Sequence, residues 1–189
     1  MKVLLTVPHA GCFSSNLERH CDRNAKLLAD GLAKALEKNE VEFKIIENHG
    51  LRIDYDANRE SGYYSSGFGS RVDDALKSGE YDYVIDCHSY PDYDLKKPRH
   101  FYILDFFPPQ SLNSKIIQIG KGRNFDCELF EASNINAIIM HAHRFGVTHS
   151  LLEVSELLNK KQLSHIADLI VSAHLQQKQR RSPFHMTVI

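Results

Sequence analysis

Two hydropathy regimes alternate along this chain: short continuous apolar runs, and longer stretches where apolar residues recur every three or four positions. Residues 2–7 form a mostly apolar run that ends in Pro8-His9-Ala10-Gly11, the pattern of a buried strand delivering a polar loop at its carboxyl end. Over 22–38 the apolar residues Ala25, Leu28, Ala29, Leu32, Ala33 and Leu36 fall at helical spacing, which predicts an amphipathic helix with Asp22 in or just before its first turn. The same reading gives strands at 41–46 and 81–87, with a helix at 68–77 between them. Further strands are expected at 100–106, 137–140 and 150–154, and a long closing helix at 160–178. The proline-bearing stretches 90–99 and 107–115 read as loops, and 180–183 as a loosely held tail. This β-α-β-α-β rhythm predicts an α/β fold: a single domain over 1–189, built on a mainly parallel mixed sheet flanked by helices.

Composition narrows the classes of function. The 189 residues suit one substantial core, and 23 basic against 24 acidic residues give a formal net charge of -1. No global field favours nucleic acid or an anionic membrane, and no apolar run approaches the roughly 20 residues that span a bilayer. A cytoplasmic protein with neither nucleic-acid nor membrane partners is expected. The four cysteines include no C-x-x-C pair, so they signal neither a disulfide framework nor a thiolate zinc knuckle. The 11 histidines are a rich supply, several of them beside carboxylates.

The unusual polar residues cluster at the carboxyl ends of the predicted strands, the edge where open α/β sheets place ligands. His9 with Asp22 offers nitrogen and oxygen donors suited to zinc, although Asp22 could equally cap its helix and Glu18 is a rival carboxylate. Asp86 and His88 share a strand face, so Asp86 could orient His88. Their place in an apolar strand is costly unless something charged meets them. Asn58-Arg59 offers a fork that could grip a substrate carboxylate, or else a solvated charged loop. Glu153, alone among apolar neighbours in 150–154, is either structurally paired or a base with a raised pKa.

In this order, Val7-Pro8-His9-Ala10-Gly11, Asp22-Arg23, Arg52 with Asp56-Ala57-Asn58-Arg59, Asp86-Cys87-His88-Ser89 and Leu152-Glu153-Val154 resemble the N-formylglutamate amidohydrolase family, which is itself similar to the zinc carboxypeptidases. The resemblance covers residues 2–158. It implies a phosphorylase/hydrolase-like, zinc carboxypeptidase-like domain holding one zinc per chain on His9, Asp22 and His88, with water in the fourth position. It further implies Glu153 as the base, Arg52 polarising the scissile carbonyl, and Arg59 with Asn58 binding the carboxylate of a small-molecule or peptide substrate. Nickel, cobalt or manganese would also suit such donors. The chain departs from the family in a compressed stretch between Gly11 and Asp22, in Ala57 where a leucine is usual, and after Ser89. His141, His143 and His149 stand as alternative ligands or substrate contacts.

Overall fold

A computed structural model of the chain describes residues 1–11, 21–50, 56–65, 67–91, 99–106, 111–131 and 136–181. In chain order the elements are β1 (Lys2–Val7), α1 (Ala25–Lys38), β2 (Glu42–Glu47), α2 (Glu60–Ser65), α3 (Phe68–Lys77), β3 (Tyr83–Tyr90), β4 (Phe101–Asp105), α4 (Ser111–Gly122), β5 (Cys127–Glu131), α5 (Ala137–Arg144), β6 (Thr148–Ser155) and α6 (Lys160–Arg181). The strands form one sheet in the order β2-β1-β3-β6-β4-β5. Every neighbouring pair is parallel except β4 against β6. The expected single, mainly parallel mixed sheet with flanking helices is what the molecule has.

Strand alternation sends successive side chains into two separate cores. Val3, Leu5 and Val7, together with Ile85, Cys87, Leu152 and Val154, pack beneath α1, α4 and α6. Leu4 and Val84 face the other way, into a smaller core with Tyr63, Phe68, Val72 and Ile138 from α2, α3 and α5. On α1 the buried residues are Ala25, Leu28, Ala29, Leu32, Ala35 and Leu36, the predicted stripe except that Ala35 is buried where Ala33 was expected and Ala33 is half-buried. Asp86, His88 and Glu153, at the alternate positions, therefore share the face of the smaller core. Burying the fully enclosed Leu28 and Leu32 stabilises the domain by roughly 2 kcal/mol each relative to exposure.

Several expectations need correction. Residues 137–140 are the first turn of α5 and not a strand: Asn136 accepts a hydrogen bond from the Ile139 amide and caps the helix. A four-residue apolar run cannot by itself separate a buried strand from a buried helical turn. The expected loop at 107–115 gives way to α4 from Ser111 onward, and neither α2 nor β5 was predicted. β3 runs on to Tyr90, three residues past the expected end, and carries Asp86 and His88 on one strand face as expected. Cys21 is disulfide-bonded, contrary to the reading of the cysteine spacing; its partner lies outside the described residues, while Cys87 and Cys127 are free and buried. Among the described residues, no helix is long and apolar enough to cross a membrane.

Candidate metal centre

β1 pairs with β2 on one side and with β3 on the other, so the chain leaves the sheet in opposite directions at this point. Open α/β sheets form their ligand crevice at such a switch. His9 follows β1 into this crevice, and His88 enters it from the end of β3. The loop carrying His9 is tied to the loop after β2: Asn48 donates its amide N–H to the Val7 carbonyl at 2.9 Å and its side-chain N–H to the Pro8 carbonyl at 3.0 Å. Gly11 lies so close to this second loop that a Cβ there would stand 2.7 Å from the His49 carbonyl oxygen.

Asp22 is brought back onto His9 by the hydrogen bond from its own amide to the His9 carbonyl, 3.2 Å. The residue at the N-cap position of α1 is Asn24, so Asp22 is not that helix's cap. Asn24 instead fixes the helix start against the strand ends. Its amide donates to Ser89 Oγ at 3.0 Å, and its side chain donates to the carbonyls of Ser155 at 2.9 Å and Leu158 at 3.1 Å.

The three candidate donors converge. Asp22 Oδ2 lies 3.3 Å from His9 Nδ1 and 2.8 Å from His88 Nδ1. Each imidazole turns its other nitrogen to a carboxylate: His9 Nε2 is 3.0 Å from Asp56 Oδ1, and His88 Nε2 is 2.9 Å from Asp86 Oδ2. Asp86 is held in turn by Thr6 Oγ1 at 2.7 Å and by Asn136 Nδ2 at 3.1 Å. His9, Asp22, His88 and Asp86 are all buried, with relative exposures of 1, 4, 2 and 0 %.

Such a concentration of charge in a dry crevice has electrostatic consequences. Burial favours the neutral form of Asp22, but hydrogen bonds from His88 and His9 outweigh it and hold the carboxyl well below the usual range. Burial favours neutral His88 as well; the Asp86 charge, hydrogen bonds to Asp22 and Asp86, and the charge of Glu153 reverse this and raise its pKa well above the ordinary value. The cluster thus favours a positive charge at its centre.

The donor set fits a divalent ion. One ligand atom each from His9, Asp22 and His88 lies within 4.8 Å of the others, and both histidines have the carboxylate on the far ring nitrogen that fixes tautomer and ring angle in histidine metal sites. Three protein donors suit an open, reactive site better than a closed structural one.

Glu153 is the direct register partner of His88 on β6 and points to the same face of the sheet, half-buried. Asn58 accepts a hydrogen bond on Oδ1 from Asn136 Nδ2 at 3.2 Å, which leaves its NH2 as the group it can offer. Arg59 is 60 % exposed at the side chain, with Nε 4.0 Å from Asp56 Oδ2. Arg52 and Glu18 lie outside the described residues. His141, His143 and His149 are not in the cluster: His141 Nδ1 pairs with Asp73 at 2.7 Å, His149 Nδ1 with the Val147 carbonyl at 3.0 Å, and the ring of His143 meets that of His149.

Sequence reasoning overlooked the supporting shell of Thr6, Asn24, Asn48 and Asn136, and gave Asp56 no role. Only Asn48 carried a signal, as the polar residue closing β2. Glu156 was missed too: it takes hydrogen bonds from Ser89 Oγ and the Arg23 amide, both at 3.2 Å, and burial raises its pKa.

This is an α/β domain of the amidase and carboxypeptidase-like type of fold. The chain is similar to a gene product of Agrobacterium tumefaciens (TM-score 0.70, 16 % identity, covering 93 % of this chain and 91 % of that one). It is also similar to the N-formylglutamate amidohydrolase of Ralstonia eutropha JMP134 (TM-score 0.58, 10 % identity, 94 % of each chain). A third similar structure is a metallo-carboxypeptidase from Burkholderia cenocepacia (TM-score 0.58, 16 % identity, 95 % of this chain and 57 % of that one). At these identities the likeness concerns the fold. No family model matches the chain, and neither does any curated protein sequence.

Proposed function

We propose that this chain is a zinc-dependent amidohydrolase that cleaves the amide of an N-formyl or other N-acyl amino acid. The observation that carries this reading is the convergence of two imidazole Nδ1 atoms on Asp22, each ring braced from behind by a carboxylate, buried Asp86 for His88 and half-buried Asp56 for His9. The fold it shares with an N-formylglutamate amidohydrolase and a metallo-carboxypeptidase agrees with it.

In this reading His9, Asp22 and His88 hold the ion, which when bound supplies the Lewis acidity that hydrolysis of an unactivated amide needs. Glu153, across the β3–β6 ladder from His88, takes the proton of the attacking water and passes it to the departing amine. Arg59 grips the substrate carboxylate. The Asn58 NH2, left as its offered group because Asn136 occupies its oxygen, adds a second donor to that grip. Arg52 keeps the role of steadying the oxyanion. Asp56 and Asp86 keep both histidines from rotating and make them better electron donors.

A carboxypeptidase-like or amidase activity on a peptide is the second reading, favoured by the exposure of Arg59: a grip open to solvent admits a larger carboxylate-bearing substrate. The test is metal content of the purified protein before and after chelation, with formate release from N-formylglutamate followed on the same samples. About one zinc per chain and chelator-sensitive deformylation are expected from a three-donor open site. His88→Ala should lose metal and activity together, whereas Glu153→Gln should keep the metal and lose turnover. A protein that takes up no metal even when zinc is restored would refute the proposal. Zinc without deformylation would move the substrate to peptides.

A further inference from the structure

A second polar cluster lies between α2, α3 and α5, outside the metal centre. His141 on α5 is buried, and its Nδ1 stands 2.7 Å from Asp73 Oδ1 on α3. A carboxylate only accepts, so Nδ1 carries the hydrogen and Nε2 presents its lone pair. That lone pair faces the hydroxyl of Tyr64 at 3.2 Å, and Tyr64 is 52 % exposed. Buried carboxylate, buried imidazole and accessible hydroxyl thus stand in line.

The surroundings lock this line in place. Tyr63 donates its hydroxyl to the same Asp73 oxygen at 2.9 Å, and its ring packs on the His141 ring with centroids 4.6 Å apart. Burial first, and the Asp73 charge second, push the Tyr63 pKa far above its usual value, so Tyr63 remains a donor and is not itself a reactive group. Gly69 packs against Tyr63 so closely that a Cβ there would meet its carbonyl oxygen at 2.3 Å. The imidazole is therefore held by the Tyr63 ring from α2 and the Asp73 carboxylate from α3.

We infer that Tyr64 is a nucleophile that accepts an acyl group from an activated ester, with His141 as its base and Asp73 orienting that base. The arrangement matches the logic of the hydroxyl–histidine–carboxylate triads: the base reaches the nucleophile, and a third group fixes the base and stabilises its cation. As Tyr64 Oη forms its bond to the acyl carbon, its proton moves to His141 Nε2, and the imidazolium is held by Asp73. The ester C–O bond then breaks, and His141 returns the proton to the departing alkoxide or phenoxide. The product is an acylated Tyr64 and one free alcohol per chain, with no oxidant or metal required.

The experiment is reaction of the full chain with p-nitrophenyl acetate, following release of p-nitrophenolate and locating the acetyl group by peptide mass spectrometry. The expected result is acetyl on Tyr64 at a rate unaffected by chelation, which separates this site from the metal centre. Tyr64→Phe should abolish that acetylation. His141→Gln, checked for fold by circular dichroism, should slow acetylation of Tyr64 by roughly a hundredfold, as loss of a general base does. Asp73→Asn removes the orienting charge while keeping the shape, and should also slow it; this variant carries the test if His141→Gln does not fold. Acetylation confined to lysines and the N-terminus, or modification of Tyr64 at the wild-type rate in folded His141→Gln or Asp73→Asn, would overturn the inference.

Discussion

Acid should weaken this fold through one residue at the opposite end of the sheet from the metal centre. His174 on α6 is 3 % exposed and packs edge-to-face on Tyr83, with ring centroids 4.2 Å apart. Its Nδ1–H donates to the Ile170 carbonyl at 2.7 Å, and its Nε2 is buried without a hydrogen-bond partner among the described residues. Burial pushes its pKa from 6.5 down to about 4, and the hydrogen bond to Ile170 opposes this only in part. The unfolded chain therefore takes up this proton first. Between pH 6.5 and about 4 it binds more protons at this site than the folded chain, so stability falls as pH falls through that window and levels off below it. The gap in pKa corresponds to about 3 kcal/mol once protonation is complete, of which about 2 kcal/mol is lost by about pH 5.

Urea unfolding at about pH 7.5 and about pH 5, for the wild type and for His174→Phe, isolates the effect, since both share every other titrating group. Phenylalanine keeps the aromatic packing against Tyr83. The wild type should lose ~2 kcal/mol more than the variant over this interval. Equal losses in the two proteins would show that His174 does not titrate against a buried, neutral native state, and the argument from its unpartnered nitrogen would fail.

Other predictions follow from the site and the core. Asp86→Asn removes the charge behind His88 and should weaken zinc affinity by about 10- to 100-fold in chelator competition; an unchanged affinity would deny Asp86 a supporting role. Arg59→Ala should raise KM for N-acyl amino acids with little change in zinc content, and an unaltered KM would place the carboxylate grip elsewhere. Leu28→Ala, at a fully buried position on α1, should cost about 3 kcal/mol in urea unfolding, and a loss under 1 kcal/mol would mean that the core refills around it.

The legible part of the fold was the part in which local pattern and burial agree. The buried run of β1 and the stripe of α1 each appear in the sequence because one physical cause, an apolar contact surface, sets most residues in them. α3 matches its predicted bounds for the same reason. β5 escaped notice because an edge strand has little to bury, and its residues run from buried Cys127 to exposed Glu131. Residues 137–140 misled because the feature that decides for a helix is one hydrogen bond from the Ile139 amide to Asn136, which no apolar pattern encodes.

The candidate donors His9, Asp22 and His88 were legible for a related reason. Histidines and carboxylates at the ends of apolar strands are conspicuous because their burial needs a cause. Their supports were not legible: Asn24, Asn48 and Asn136 are ordinary loop residues until the fold gives them partners 40 to 134 positions away. For instance, Asn24 meets Leu158, Asn48 meets Pro8, and Asn136 meets Asp86.

The donors are unequally mounted. Asp86 is clamped in the sheet between β1 and β6, and His88 continues the same strand against β6, whereas His9 and Asp22 sit on connecting segments joined by the Asp22 amide and the His9 carbonyl. Adjustment to the radius of a different ion therefore falls on one side alone. In the proposed reading, a change from zinc to a larger divalent ion would be felt at the start of α1, through Asn24 and its hold on Ser89 and on the β6 end, and least in the backbone of β3 that carries His88. In that reading the sheet supplies a fixed jaw and the first helix a movable one, and the breadth of ions tolerated would be set by how far Asn24 can give before it lets go of Ser89, Ser155 and Leu158.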